Sequence, residues 1–130
     1  IDVEVNFQEN KKYIISGYPN EFKQAILSII NNARDSILKK REEEYFQGKI
    51  TIDTFYENDH IHIRIKDNGT GIKKENLEKI FEPFFTDKIN GDGFGLYMVK
   101  LIIEDKMDGN IKAVEQENGA NILIALSKNV

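Results

Sequence analysis

The stretch HIHIRIKDNGTGI, residues 60–72, ends an alternating apolar and polar pattern in a turn that contains two glycines. The alternation predicts a strand with one buried face and one wetter face. Asn-Gly is a common turn sequence, but a turn needs only one glycine. Here Gly69 and Gly71 both follow Asp67, which indicates close approach of a flat ligand to the backbone. A carboxylate fixed at this strand end can accept a hydrogen bond from a neutral amino group.

Outward from this strand, the predicted helices and strands do not alternate regularly. The first half of the chain predicts strands at 1–7 and 11–17, a helix at 18–44 with Asn20 as its N-cap, and strands at 48–56 and 60–67 joined by a turn at 57–60. The second half predicts a short helix at 73–81, a loop at 82–95 and a helix at 96–107. A strand pair within 109–127, with a turn near Asn118 and Gly119, ends the chain. This order favours an α/β fold of the two-layer α+β sandwich type over a doubly wound parallel sheet. We expect a mixed, mostly antiparallel sheet covered on one face by about three helices.

The long helix carries a polar row beside its apolar stripe. Ser28 and Asn32 are four residues apart and share a face, which Asp35 and Ser36 continue. This row is either an ordinary solvated face or a place where an amide oxygen is offered to a metal ion. Magnesium prefers oxygen ligands and keeps several waters, so one Asn together with ligand phosphates would suffice. The stripe that predicts the core face of the helix consists of Phe22, Ile26, Ile29, Ala33 and Ile37.

Glycines precede the second long helix in the segment GDGFG, residues 91–95. Glycines that lead into a helix N-terminus favour phosphate, because free N–H groups and the helix dipole attract an anion. The alternative is a loop with a glycine hinge. The spacing does not fit a dinucleotide-binding fingerprint, and the Gly-Lys-Ser/Thr of a Walker loop does not occur. Lys88 lies nearby in the sequence, where it either adds positive charge or is an ordinary solvated lysine.

Aromatic residues cluster in FEPFFTDK, residues 81–88. Phe81, Phe84 and Phe85 surround a proline in the predicted loop. Exposed phenylalanines are unfavourable. These side chains therefore either pack down as an anchor for the loop or form a surface for a partner.

Length and composition exclude several other functions. The chain of 130 residues suits one domain, and its start within a strand pattern rather than at Met leads us to expect a domain excised from a longer protein. The net charge of −4 gives no general reason to bind nucleic acid. The absence of cysteine excludes disulfides and suits a cytoplasmic location. No apolar run is long enough to span a membrane, although an inner-membrane anchor in a longer protein stays open.

Each of these motifs is a weak signal alone, but together and in this order they resemble a known family. The segments LSIINNARDSI, DNGTGI, FEPFFTDK and GDGFGLYMVK, with a weaker match in ENGANILIAL, are similar to the ATP-binding catalytic domain of sensor histidine kinases. That family shares a superfamily with gyrase, Hsp90 and MutL-type ATPases. The resemblance covers nearly the whole chain and implies a Bergerat-type ATP-binding fold, a mixed sheet under three helices.

The resemblance also implies roles for individual residues. Asn32 would coordinate magnesium, and Asp67 would accept a hydrogen bond from the adenine amino group. The glycines at 69 and 71 would let the backbone approach the base. The segment from Phe81 to Phe85 would begin a mobile lid over ATP. The remaining positions expected to bind nucleotide are Ile72, Lys88, Gly91, Gly93, Gly95, Leu96 and Gly119.

Two positions depart from the pattern of the family. Ser28 stands where histidine kinases most often carry an Asn and where ATP-hydrolysing relatives carry a Glu as general base. Ala120 replaces a frequent Thr after Gly119, which removes a hydroxyl near the base. Magnesium would then rest more on Asn32 and water, but neither change removes the pocket.

The Ser at position 28 favours phosphoryl transfer to a histidine over ATP hydrolysis. Water is a poor nucleophile that benefits from a positioned base, whereas a neutral imidazole already has a lone pair. His60 and His62 alternate on a predicted strand and are expected to be ordinary strand residues. The resemblance instead implies a phosphoacceptor histidine on a separate helical hairpin domain of the same kinase, a homodimeric full-length protein and a downstream response regulator.

Three alternatives stay open. The first is an ATP-driven conformational switch of the gyrase or Hsp90 type, against which Ser28 and the Phe-rich lid argue. The second is a serine kinase like those that act on anti-sigma-factor systems, which shares the nucleotide pocket. The third is a binding module whose pocket has lost its activity.

Overall fold

A five-stranded mixed sheet organises the chain in the computed structural model, which describes residues 1–8, 17–85 and 95–127. The strand order is β1-β2-β3-β5-β4; β1 pairs with β2 in parallel, and the other neighbours pair antiparallel. This arrangement confirms the predicted mixed, mostly antiparallel sheet. The predicted strand at 11–17 lies largely outside the described residues. The strands are β1 (Asp2–Phe7), β2 (Lys49–Glu57), β3 (His60–Asp67), β4 (Asn110–Val114) and β5 (Asn121–Ser127).

The turn between β2 and β3 forms as predicted. Asn58 and Asp59 both have left-handed backbone angles, with φ of 53° and 61°. Two consecutive left-handed residues match the twist of a two-residue hairpin. The turn therefore fixes the register in which Glu57 faces His60.

Helices pack on one face of the sheet. The long helix is α1 (Pro19–Arg41), and α2 (Gly95–Lys100) continues as a π-helical segment (Leu101–Lys106). None of the helices within the described ranges is both long enough and apolar enough to cross a membrane.

Two details of the predicted helices were wrong. The first turn of α1 begins at Pro19 after Tyr18, so Asn20 is not the N-cap. Proline suits the first helical position because its fixed φ is already helical and it has no N–H to leave unpaired. The predicted short helix at 73–81 is instead a pair of single 3₁₀ turns, Lys74–Asn76 and Lys79–Phe81. A segment this short does not repay the cost of α-helix nucleation.

The core lies between α1, the second helix and the inner face of the sheet. The alternation predicted for β2 and β3 places one set of their side chains against the helices, and in β5 the buried residues also fall at every second position. Each such side chain contributes about 1.5–3 kcal/mol on full burial. Buried residues at the centre of this layer are Ala25, Ile29, Ala33, Ile37, Ile50, Ile65, Val99, Ile103, Ile122 and Ile124. The predicted stripe of α1 is confirmed, with Phe22 and Ile26 partly buried at its margin.

Candidate functional site

The polar row of α1 connects two loops that the sequence marked as functional. Ser28, Asn32 and Ser36 follow one another at intervals of four residues and so lie on one face of the helix. Ser36 meets the loop that follows β3, and Ser28 meets the start of α2. Asn32 lies between them and is partly buried. The fold thus brings the loop after β3 and the glycine that begins α2 to one face of α1.

Asp67 ends β3 on the inner face of the sheet and is only 8% exposed. Its Oδ1 accepts hydrogen bonds from the backbone N–H of Gly69 at 2.8 Å and of Ala120 at 3.4 Å. Its own N–H donates to the carbonyl of Ala120 at 3.0 Å. Within the described part of the chain, Oδ2 has no hydrogen-bond donor. One oxygen therefore fixes the carboxyl group, and the other can accept a hydrogen bond from a ligand.

The electrostatics of Asp67 reflect this burial. Desolvation raises the pKa of Asp67 above its ordinary value of 3.8. The hydrogen bonds from Gly69 and Ala120 and the charge of Lys40 act in the opposite direction but do not outweigh burial. A partly desolvated carboxylate gains more from a donor than a solvated one would.

Asn68 ties the same loop to the chain segment between α1 and β2. Its Oδ1 accepts from the N–H of Lys49 at 2.8 Å, and its Nδ2 donates to the carbonyl of Gln47 at 3.0 Å. The ammonium of Lys40 donates to the carbonyl of Asn68 at 3.2 Å. Sequence reasoning assigned no such role to Asn68 or Lys40, because their partners are distant in sequence.

Two glycines near Asp67 are required by contacts inside the protein. A β-carbon on Gly69 would lie 2.4 Å from Ser36 Oγ and 2.7 Å from the Ser36 carbonyl carbon. A β-carbon on Gly119 would lie 1.8 Å from the carbonyl oxygen of Asp67, and the φ of this residue is +132°. The prediction that glycines here leave room for a base stays a prediction, but Gly69 and Gly119 already have a steric reason to be glycine.

At the other end of the helix row, α2 begins against Ser28. A β-carbon on Gly95 would lie 3.3 Å from Ser28 Oγ. Leu96 is partly buried against the core. The predicted positions Lys88, Gly91 and Gly93 lie outside the described residues.

The phenylalanines of residues 81–85 include both buried and exposed side chains. Phe81 is 5% exposed and belongs to the core, and Phe85 packs partly against it. Phe84 is 72% exposed and has a left-handed φ of 68°. Two of the three phenylalanines therefore anchor the loop, and the third is presented to the surface. Ile72 also packs partly against the core.

Neither clustered metal-binding side chains nor the histidines of β3 mark a second site among the described residues. Among the described residues, no cluster of three or more His, Cys, Asp or Glu side chains could hold a metal ion. An amide oxygen such as that of Asn32 fits magnesium that also binds ligand phosphates and water. His60 and His62 lie on the outer face of the sheet, opposite Asp67, where His62 stacks on Phe55 with ring centroids 5.2 Å apart.

Comparisons with known proteins give matches over most of the chain. Residues 17–129 match the family model described as histidine kinase-, DNA gyrase B-, and HSP90-like ATPase. The chain is 34% identical over 119 residues to Sporulation kinase C of Bacillus subtilis (strain 168), a match that covers 92% of the chain and 26% of that protein. It is 38% identical over 109 residues to Sensor protein RprX of Bacteroides fragilis (strain YCH46), which covers 78% of the chain and 20% of that protein.

Solved structures give the same result. The nucleotide-free catalytic domain of histidine kinase ThkA superposes with a TM-score of 0.79 at 28% identity, covering 97% of this chain and 79% of that one. Histidine kinase ThkA in complex with response regulator protein TrrA gives a TM-score of 0.74 at 27% identity, covering 98% of this chain and 34% of that one. The predicted fold class is confirmed. The chain spans about a quarter or less of the length of the two curated relatives.

Proposed function

Because the chain belongs to the histidine kinase-, DNA gyrase B-, and HSP90-like ATPase family, as its motifs indicated, we propose that it is the catalytic domain of a protein-histidine kinase. Membership in an ATPase family implies that it binds ATP. It uses ATP with magnesium to phosphorylate a histidine on a separate helical domain. The names of Sporulation kinase C, Sensor protein RprX and histidine kinase ThkA support this function within the family.

The observation that carries the proposal is the geometry of Asp67. Its Oδ1 is held by two backbone N–H groups, so the free oxygen has a fixed direction. An acceptor buried beside a glycine-containing loop suits the exocyclic amino group of adenine. The base pocket would be lined by Gly71 and Ile72, which continue this loop, and by Gly119, which lies against it.

The phosphates would lie toward the other end of the α1 row. Asn32 would hold magnesium together with the phosphates and water, and Gly95 and Leu96 begin the helix that faces this end. The family resemblance implies that Lys88, Gly91 and Gly93, which lie outside the described residues, also bind the phosphates. When bound, magnesium neutralises charge on the transferring phosphoryl group. Phosphoryl transfer needs positioning and neutralisation more than it needs covalent chemistry from the protein.

The acceptor is proposed to be histidine because this chain offers no acid at the position where hydrolysing relatives carry one. Ser28 occupies that place, and a hydroxyl is a poor base for activating water. His60 and His62 are not candidates as the acceptor, since they lie on the opposite face of the sheet from Asp67. The acceptor histidine would come from a helical hairpin of the same kinase. A homodimeric kinase and a response regulator downstream complete the proposal.

The proposal is tested by supplying the helical hairpin domain together with this chain, magnesium and ATP labelled on its γ-phosphate. We expect a labelled hairpin whose phosphate is labile in acid and stable in alkali, as phosphohistidine is. A hairpin with its histidine replaced by glutamine serves as the control and should stay unlabelled. Free phosphate without any phosphoprotein would contradict the proposal and favour an ATP-hydrolysing switch.

A further inference from the structure

Ser36 contacts the loop that follows β3, residues 68–71, through two short hydrogen bonds. Its Oγ accepts the N–H of Thr70 at 2.8 Å and shares a second bond of 2.8 Å with Thr70 Oγ1. Both bonds join α1 to a residue 34 positions further along the chain. A single serine hydroxyl therefore fixes both the backbone and the side chain of Thr70.

The same point of α1 is the place where the loop presses closest to the helix. Gly69 leaves no room for a β-carbon, because Ser36 Oγ, the Ser36 carbonyl carbon and the Ile37 nitrogen would all lie within 2.8 Å of it. The N–H of Gly69 in turn donates to Asp67 Oδ1 at 2.8 Å. A continuous path of contacts thus runs from Ser36 through Thr70 and Gly69 to the carboxyl group of Asp67.

The helix also sets the spacing between the two ends of the site. Asn32 lies four residues before Ser36, which is about 6 Å along the helix axis, on the same face. A bond that holds the loop at Ser36 therefore fixes the position of Asp67 relative to Asn32. Without this bond, the loop would still touch the helix through Gly69, but its direction would be set less firmly.

We infer that Ser36 and Thr70 are positioning residues for recognition of the base, because their hydroxyl pair aims Asp67 at the adenine amino group. This inference rests on the proposed ATP-binding function. Neither hydroxyl needs to touch the nucleotide. The pair acts by narrowing the directions available to the acceptor, so its loss should reduce discrimination between bases more than it reduces affinity for triphosphate.

The test compares affinity for ATP with affinity for inosine triphosphate, which carries an oxygen in place of the adenine amino group. The variants are Ser36→Ala, which removes both bonds, and Thr70→Val, which removes only the hydroxyl pair. Loss of hydrogen bonds of this kind corresponds to about a threefold to tenfold change. We expect Ser36→Ala to reduce the preference for ATP by that factor and Thr70→Val to reduce it less. Thr70→Ser restores the hydroxyl and should recover most of the preference.

Matched controls remove hydroxyls elsewhere. Ser127→Ala at the exposed end of β5 and Thr51→Val on the outer face of the sheet should keep the preference of the unaltered chain. Urea unfolding of each variant separates a loss of folded protein from a change in recognition.

Two results would overturn the inference. One is an unchanged preference for ATP in Ser36→Ala. The other is an equal loss of affinity for both nucleotides that follows the unfolding midpoint, as expected if the serine only supports the fold. An unaltered chain that binds neither nucleotide would instead contradict the proposed function, and one that binds both equally would contradict the role of Asp67 on which this inference rests.

Discussion

The two ends of the polar row on α1 are held in different ways. At the base end, Ser36 bonds to Thr70, and Gly69 approaches the helix backbone too closely for any side chain. At the phosphate end, α2 approaches through Gly95, whose β-carbon would meet the Ser28 hydroxyl at 3.3 Å and no other described residue within 4 Å outside its own helix and chain neighbours. The base end is therefore fixed by hydrogen bonds and backbone contact, whereas the described contact at the phosphate end is to one rotatable side chain. The comparison indicates that the carboxyl group proposed to bind the base is already held in place by contacts within the protein.

The largest expected effect comes from Gly69→Ala, which adds one methyl group at the base end. Gly69→Ala would place a β-carbon 2.7 Å from the backbone of Ser36, which neither element can relieve without moving. We expect the free energy of unfolding to fall by about 2–4 kcal/mol, measured by urea denaturation.

The matched variant is Gly95→Ala, where the described neighbour of the new atom is the side-chain oxygen of Ser28. We expect its free energy of unfolding to stay within about 1 kcal/mol of the unaltered chain, because alanine also suits a helix better than glycine. Equal losses for the two variants would remove the distinction between the two ends.

A smaller effect concerns the stability of the base end as a function of pH. Because burial raises the pKa of Asp67 in the folded state, the folded protein binds this proton more tightly than the unfolded chain does. The ionised group therefore lowers stability above its raised pKa, and this cost disappears below the ordinary value of 3.8. Asp67→Asn can keep both backbone bonds at Oδ1 and carries no charge. We expect its urea midpoint to exceed that of the unaltered chain at neutral pH.

The difference between the two proteins should shrink as the pH falls from the raised pKa toward 3.8. Asp105→Asn, at an exposed position of the π-helical segment, provides the control for a change in net charge. A destabilised Asp67→Asn at neutral pH would show that the carboxylate supports the fold rather than the site.

The sequence predicted the strands and the core stripe well, because both depend on local periodicity. The alternation in β3 and the spacing from Ile29 to Ile37 state directly which side of each element is buried. The start of α1 was misplaced, since Asn20 and Pro19 are both suited to a helix N-terminus and only one can begin it.

The contacts around Asp67 could not be predicted from periodicity. The hydrogen bond from Ala120 to Asp67 and the one from Lys49 to the side chain of Asn68 join residues far apart in sequence, so only the folded chain shows them. The sequence pattern attributes Gly69 to the close approach of a ligand. The structure shows that α1 also approaches this glycine closely, and a contact of that kind leaves no local signal in the sequence. Only the folded chain shows how these residues are held.

The central claim is that Asp67 recognises the adenine amino group, and calorimetric titration with magnesium and ATP tests it most directly. Asp67→Asn places an amide donor either toward the base or toward the N–H groups of Gly69 and Ala120, so one donor must face another. Loss of a hydrogen bond to a charged acceptor corresponds to about 1.5–3 kcal/mol, so we expect the ATP affinity of Asp67→Asn to fall by about tenfold or more. The ATP affinity of Asp105→Asn should stay unchanged. Equal ATP affinity for Asp67→Asn and the unaltered chain would contradict the account.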